Sequence, residues 1–378
     1  VDLSLLRRSP DVQGPDLRAA DAADRLILDE AAPFLADVAR VDASVSVIGD
    51  THGALALSVA ADHGATGVRV HQDALLGERA IRENASRLGL ESAIVVEAVA
   101  DAALVRGARV VLLRLPRSLD ALDELAAVIA GHAHPDAVVV AGGRVKHMST
   151  AMNDVLRRYF AQLDVSHARQ KSRVLIARGP SSAEPSGGWP RRARDQELDV
   201  EVVAHGGVFA GTTIDIGTRF LFASLDAALA DVPAPRSAVD LACGTGVVAV
   251  ALARRFPGAH ILATDQSAAA VRSAAATAEA NGLGERIAVE RGDALESADE
   301  ASTDLIVLNP PFHAGATLTT ALAERLFADA GRALAPGGRL VTVWNSHLRY
   351  RPALERLVGT TRQLARNAKF TVTVSVRL

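Results

Sequence analysis

Short apolar runs recur along the second half of the chain, and each closes on residues suited to turning or binding. Val239 to Leu241 leads into Ala242-Cys243-Gly244-Thr245-Gly246 and the helix-like stretch Val247 to Arg255. His260 to Thr264 ends in Asp265, Ile287 to Glu290 runs into Gly292-Asp293-Ala294, and Leu305 to Leu308 delivers Asn309-Pro310-Pro311-Phe312-His313. Unbroken apolar runs linked by helical stretches predict parallel strands buried on both faces. Four successive strand ends carrying Asp240 with Gly244 and Gly246, then Asp265, Asp293 and Asn309, predict a crevice at the carboxyl edge of an open sheet. The first half repeats the pattern in weaker form. Val45 to Ile48 runs into Gly49-Asp50-Thr51-His52-Gly53, and Val110 to Leu113 into Arg114-Leu115-Pro116-Arg117. Laid on the second half without gaps, Gly53 matches Gly246, but Val47 falls at Asp240, Thr51 at Gly244 and Gln72 at Asp265. The halves therefore read as one α/β fold twice, with chemistry retained only in the second; a different ligand site in the first, beginning at Asp73, is the alternative. Gly179 to Pro190 is too rich in turn formers to continue helix or strand. Domains are expected at 1–179 and 196–378, with a linker at 180–195.

Composition adjusts this picture modestly. A chain of 378 residues exceeds what one core usually covers. Ala, Val and Leu do most of the filling, since aromatics are only 3%. No apolar stretch is long enough to cross a bilayer, and the start, with Asp2, Arg7, Arg8 and Asp11, lacks a signal-peptide layout. A cytoplasmic protein is expected. The single cysteine, Cys243, has no ligand cluster around it, so no metal is expected. A formal net charge of -3 argues against a nucleic-acid partner until its distribution is considered. From Arg349 onward, Arg349, Arg351, Arg356, Arg362, Arg366, Lys369 and Arg377 face only Glu355. Arg169, Lys171 and Arg173 precede the linker, and Arg191, Arg192 and Arg194 lie at its end. Such runs are either solvated faces or a footprint for RNA.

The strand ends specify the chemistry. Glycines at 244 and 246 let a ligand approach the backbone, and Asp265 is placed to accept ribose hydroxyls, in a nicotinamide enzyme and a methyltransferase alike. Asp293 can meet an adenine amino group or simply form a turn after Gly292. Asn309 and the Pro310 carbonyl decide between the families. An amine attached to a nucleobase is a weak nucleophile because its lone pair is delocalised into the ring. Two acceptors that take its hydrogens can turn that lone pair outward, and prolines leave the carbonyl without local competition. Phe312 offers a stacking face worth about 1 to 3 kcal/mol per base. An ordinary proline turn after a strand is the competing reading.

The order of these strand ends resembles the class I S-adenosylmethionine-dependent methyltransferases. The whole arrangement, a degenerate methyltransferase-like domain followed by a catalytic one bearing Asn-Pro-Pro-Phe-His, is similar to the bacterial ribosomal RNA guanine-N2 methyltransferases. The segment Gly207 to Arg219 is similar to that family's Val-Phe-Ser-Arg-x-x-Leu-Asp-x-Gly element, with Ala210 and Gly211 where Ser and Arg are usual. Leu115 to Leu119, Ala141 to Arg144 with His147 to Thr150, Asn345 to Tyr350 and Asn367 to Phe370 look nearer the large-subunit (23S) branch than the small-subunit (16S) branch.

The resemblance implies two tandem Rossmann-like domains and S-adenosyl-L-methionine as cofactor, leaving as S-adenosyl-L-homocysteine. It implies ribosomal RNA as partner and monomeric action, without membrane or metal. Asn309, Pro310, Phe312 and His313 would be the catalytic set, with Phe209, Tyr350, Arg349 and Lys369 beside them on the substrate. Asp240, Ala242, Gly244, Gly246, Asp265, Gln266, Asp293, Ala294, Thr218 and Asn309 would hold the cofactor. Transfer would be direct, without a covalent enzyme intermediate. The degenerate half would either recognise RNA, through Arg157 and Arg158 or Arg169 and Lys171, or support the fold. Methylation of 16S RNA, of DNA adenine N6 or of a release-factor glutamine are the alternatives, the last two sharing the Asn-Pro-Pro-aromatic tetrad. A non-enzymatic RNA-binding or assembly protein and a nicotinamide dehydrogenase fit these residues less well.

Overall fold

The computed structural model describes the chain apart from residues 15, 39–40, 43, 182–187, 231–232 and 311–315, and apart from the side chains of 37, 38 and 316–319. Two compact units result, Val1–Trp189 and Pro190–Leu378. The first contains β1 (Val45–Ile48), β2 (Val68–His71), β3 (Ile94–Glu97), β4 (Val110–Arg114), β5 (Val138–Arg144), β6 (Phe160–Val165) and β7 (Ser172–Pro180). A hairpin, β8 (Arg191–Asp195) with β9 (Val200–Ala204), begins the second unit. There follow β10 (Ser237–Leu241), β11 (His260–Asp265), β12 (Ile287–Arg291), β13 (Thr303–Leu308), β14 (Leu334–Asn345), β15 (Thr360–Arg366) and β16 (Phe370–Val376). Of the expected linker, then, Arg191–Asp195 is a paired strand of the second unit, and 182–187 lie outside the described residues.

Both sheets have the same order, β3-β2-β1-β4-β5-β7-β6 and β12-β11-β10-β13-β14-β16-β15. In each sheet the first five strands and the last run parallel, and only the sixth in the order, β7 or β16, runs antiparallel between them. This is the doubly wound arrangement of a class I methyltransferase fold, present twice. Its cause is visible in the alternation of side chains. Leu305 and Val307 enter one core cluster and Ile306 and Leu308 the other, so both sheet faces are covered. In the first unit Val110 and Leu112 lie in one cluster, Val111 and Leu113 in the other. A strand buried on both faces has no room for polar side chains until it ends, so the polar residues collect at the carboxyl edge. Among the described residues, no helix is long and apolar enough to cross a membrane.

Register sets the correspondence between the units. Ile48 pairs with Leu113 and His71 as Leu241 pairs with Leu308 and Thr264. Gln72 therefore stands at the place of Asp265, Arg114 at the place of Asn309, and, one strand further, Arg144 at the place of Asn345.

Candidate active site

The strand order of the second unit reverses between β10 and its neighbours β11 and β13, which opens a crevice beyond their carboxyl ends. The turn after β10 is built by residues in the left-handed region, Ala242 at φ 58°, Gly244 at 53° and Gly246 at 74°. The two glycines serve different ends. A Cβ on Gly244 would meet nothing within 4 Å, so this side of the turn lies open to a ligand. A Cβ on Gly246 would lie 2.9 Å from the Ala274 Cβ and 3.0 Å from its Cα. Gly246 was expected to give the cofactor room; what it admits is the helix Ala268–Ala280, packed against the turn.

Two carboxylates brace the turn. Asp240, 3% exposed, accepts the Ala249 N–H at 2.9 Å, tying β10 to the helix Val247–Arg255. Burial, with Asp265 nearby, pushes its carboxyl well above the usual range. Asp265 accepts the Gly244 N–H at 3.1 Å through one oxygen and the Ser267 N–H at 2.9 Å through the other. Gln266 beside it is half-buried, and its carbonyl accepts from Arg291 at 3.2 Å. Cys243 is buried, and burial followed by Asp240 and Asp265 raises its thiol well above the ordinary value, the opposite of what a nucleophile needs.

Asn309 follows β13 and is held from below. Its Nδ2 donates to the Thr218 hydroxyl at 3.0 Å and to Asp215 Oδ2 at 3.3 Å. A carboxylate can only accept, so Asp215 fixes which way the amide faces. Oδ1 is consequently turned away, buried, and without a hydrogen-bond partner among the described residues. Pro310 is buried. Pro311, Phe312 and His313 lie outside the described residues. Asp215 itself caps the helix Ile216–Leu229, accepting from the Gly217 N–H at 2.8 Å and the Thr218 N–H at 3.3 Å. It was not expected in the site; a carboxylate just before a helix ordinarily signals a cap, and nothing local says that the same oxygen also steadies Asn309.

The remaining residues divide. Asp293 is half-buried and its carboxylate is paired with Arg325, from the helix Ala316–Ala333, so an adenine amine would have to share or displace this partner. Ala294, at φ 54°, turns the chain there, and its carbonyl lies 3.4 Å from the Thr264 hydroxyl. Phe209 is 55% exposed. Arg349 and Lys369 are exposed, the latter with its ammonium 5.1 Å from the Phe370 ring centre. Tyr350 departs from expectation. Only 2% exposed, it packs edge-on against Phe327 at 5.4 Å and tilted against Trp344 at 5.9 Å. Its ring is core and offers no face to a base.

Comparison with known proteins bears on the family and the fold. Residues 2–181 match the family model described as the RLMG N-terminal domain, and residues 199–374 that of the methyltransferase small domain. Ribosomal RNA large subunit methyltransferase G of Pseudomonas fluorescens (strain Pf0-1) is 36% identical, over 97% of this chain and 96% of that one. The protein of the same name from Streptomyces avermitilis is 36% identical, over 98% and 96%. Among solved structures, a T. thermophilus 16S rRNA N2 methyltransferase in complex with AdoMet and guanosine superposes with a TM-score of 0.74 over 97% of both chains. At 21% identity, that likeness speaks for the fold.

Proposed function

We propose, on the premise that the chain belongs to the ribosomal RNA large subunit methyltransferase G family, that it methylates the exocyclic N2 amine of a guanine in large-subunit ribosomal RNA, using S-adenosylmethionine. The observation that carries the reading is the orphaned acceptor of Asn309. A buried carbonyl oxygen without a donor is costly, about 1 to 3 kcal/mol, and an incoming amine would relieve that cost in the act of binding. The open side of Gly244 and the carboxylate of Asp265 at the strand-order reversal fit the cofactor. Bound S-adenosylmethionine supplies a methyl carbon on a sulfonium centre, open to direct displacement.

What the chain contributes is position. Asp215 and Thr218 hold the Asn309 amide so that Oδ1 takes one amine hydrogen, and the Pro310 carbonyl is next in line for the other. With both hydrogens engaged, the lone pair is directed out of the ring plane toward the methyl donor. Orientation of this kind accounts for up to about 7 to 11 kcal/mol in well-aligned reactions. No general base is required, because the amine proton becomes acidic once the new bond forms. Phe312 and His313 complete the pocket in this reading, Phe312 as the stacking face. Gly244 and Asp265 hold the cofactor, Asp240 fixes the turn, and Asp293 and Ala294 border the adenine. The protein acts as a monomer, in the cytoplasm.

The test is methyl transfer from labelled S-adenosylmethionine to ribosomal RNA from cells lacking the protein, followed by nucleoside analysis. Label in N2-methylguanosine of the large-subunit RNA, absent with Asn309→Ala, is the expected result. Label in small-subunit RNA would keep the chemistry and change the substrate; label in protein or in N6-methyladenine would overturn the assignment.

A further inference from the structure

Two acceptors around an exocyclic amine do not choose a base. Adenine N6, cytosine N4 and guanine N2 each offer two hydrogens, and the Asn309 and Pro310 oxygens suit any of them. The ring atom beside the amine differs. Guanine carries a hydrogen on N1, next to its C2 amine, whereas adenine N1 and cytosine N3 present bare lone pairs on that edge. A third acceptor beside the first two therefore accepts from guanine and repels the other bases.

The end of β14 supplies such an acceptor. Asn345 is half-buried, and its Oδ1 is buried without a hydrogen-bond partner among the described residues, the same condition as Asn309 Oδ1. Its place follows from register. Leu308 lies beside Thr342 in the parallel pair, so Asn345 stands two residues beyond the level of Asn309 on the neighbouring strand. With strands about 4.8 Å apart and a rise of about 3.3 Å per residue, the two Cα atoms are about 8 Å apart. Both side chains leave the same face of the sheet. Leu305 and Val307 share a core cluster with Val341 and Val343, and Asn309 and Asn345 continue the two alternations. Phe370, directly across from Asn345 on β16, belongs to that cluster too. The first turn of the helix Ile216–Leu229 spans the gap. Thr218 holds the Asn309 amide at 3.0 Å, and a Cβ on Gly217 beside it would lie 3.3 Å from the Phe370 ring.

No structural duty among the described residues absorbs the Asn345 amide. It precedes the 3-10 turn Ser346–Leu348, where an asparagine is a good cap, but its side chain makes no cap hydrogen bond. The turn is held by its neighbour instead, the Ser346 N–H donating to the Lys369 carbonyl and the Ser346 hydroxyl bonded to that of Thr371, both at 2.8 Å. The two amides are also absent together from the first unit. Arg114 and Arg144 stand at their places there and line a cavity with Arg117, Lys146 and His147. Arg114 is paired with Asp21 and Asp24, whereas Arg117, Arg144 and Lys146 have no carboxylate within salt-bridge distance among the described residues.

We propose that Asn345 selects guanine, its Oδ1 accepting the N1–H while Asn309 and Pro310 take the hydrogens of the N2 amine. The inference rests on the guanine-N2 reading above and adds what the amine clamp lacks, a contact that tells one amino-bearing base from another. A flipped-out base is read in this way along its Watson–Crick edge.

The test uses the full chain with S-adenosylhomocysteine and three ribonucleosides that separate the contacts. Guanosine has both N1–H and the amine, inosine only N1–H, and 2-aminopurine riboside only the amine. The last is followed by quenching of its own fluorescence, the other two by competition against it; thermal melting confirms folding of each variant. Asn345→Leu is expected to weaken guanosine and inosine about tenfold, the loss of one buried hydrogen bond, and to leave 2-aminopurine riboside no weaker. Asn309→Ala is expected to weaken guanosine and 2-aminopurine riboside and to spare inosine. Asn345→Asp, which still accepts, keeps guanosine and inosine; their loss in this variant would mean that the side chain donates to O6 and overturn the N1–H assignment. Equal weakening of all three ligands by Asn345→Leu would mark mere support of the site and overturn the proposal, as would a wild type that binds the three alike or not at all. If the expected pattern holds but ribosomal RNA gains no N2-methylguanosine, the functional reading fails and the base-edge contact stands. If N2-methylguanosine forms but Asn345→Leu weakens the three ligands equally, the functional reading stands and this assignment falls.

Discussion

The two units share one topology and one register, and differ in what meets the first turn. In the second unit Asp265 reaches across to the Gly244 N–H, and the turn's far side is open. In the first, Gln72 at the same place donates to the Asp50 carbonyl at 2.9 Å and accepts from the Ala74 N–H at 3.0 Å. The chain's own N-terminal segment is then bonded over that turn. His52 meets the Ala19 carbonyl at 3.2 Å and Asp11 at 3.0 Å, and Asn84 exchanges hydrogen bonds with the Arg7 backbone while donating to the His52 carbonyl. Burial opposes ionisation of Asp11, but the His52 hydrogen bond and Arg8 together hold its carboxyl below the usual value. The same fold thus serves as a ligand site when the turn is left open and as a closed, self-bonded unit when the chain covers it. The turn itself needs no ligand to persist: Asp50, fully buried, accepts the N–H groups of Gly53, Leu55 and Ala56, replacing the single tie from Asp240.

The sharpest test sets Asn309→Ala against Arg114→Ala. Removing one preorganised group that contacts the reacting centre commonly costs about 10² to 10³ in kcat, and Asn309→Ala is expected in that range with cofactor affinity unchanged. Arg114→Ala is expected to leave kcat alone and lower the melting temperature, since Asp21 and Asp24 lose their common partner. A loss of kcat with Arg114→Ala would refute the division of labour. Next in size, Asp265→Ala should weaken S-adenosylmethionine binding by tenfold or more, about 1.4 kcal/mol, whereas Gln72→Ala leaves it unaltered. Calorimetry should return one cofactor site per chain, and a second would show that the covered turn opens.

Gly246→Ala and Gly53→Ala refine the comparison. Both glycines have positive φ, but the added methyl meets Ala274 Cα at 3.0 Å in one case and the far end of the Leu57 side chain at 2.7 Å in the other. A side-chain tip can rotate away and backbone cannot, so Gly246→Ala should be the more destabilising, by about 1 to 3 kcal/mol for forced overpacking, as read from chemical denaturation. The smallest effect is electrostatic. Burial raises Asp24 from 3.8 to about 6, against the opposing pull of Arg114. The folded state therefore binds this proton more tightly than the unfolded one. The corresponding stability is present below the unfolded pKa and lost as pH rises toward about 6. Asp24→Asn should flatten the fall in melting temperature between pH 4 and 6; an unchanged slope would remove Asp24 from the account.

Much of the arrangement is legible along the chain because its causes are local. Leu305 to Leu308 reads as a strand from its unbroken apolar run, Asn309-Pro310 as its functional end from residue type, and the mismatches at Gln72 and Arg114 as lost chemistry from position alone. Asp265 is placed by its distance behind a turn that only glycines form readily. These features depend on side-chain period and backbone preference, which residues carry with them wherever they stand.

The rest depended on what folding brings together. Asp215 and Asn309 are 94 positions apart, and no local pattern marks a helix cap as the anchor of a distant amide. Tyr350 stands between Arg349 and Arg351 at the head of a basic stretch that suggests a surface, yet Phe327 and Trp344 enclose it. Gly246 satisfies a binding motif while its necessity comes from Ala274 on the next helix. The basic cavity of the first unit joins 114–117 to 143–148, segments whose sequence does not show that they meet. The amino-acid sequence thus determined the strands, their order of chemistry and which copy retained it, since each is written in a few adjacent residues. Only the tertiary structure decided which acceptor stays unpaired, which aromatic is buried and where unpaired cations converge, because each is a property of the space between segments far apart in the chain.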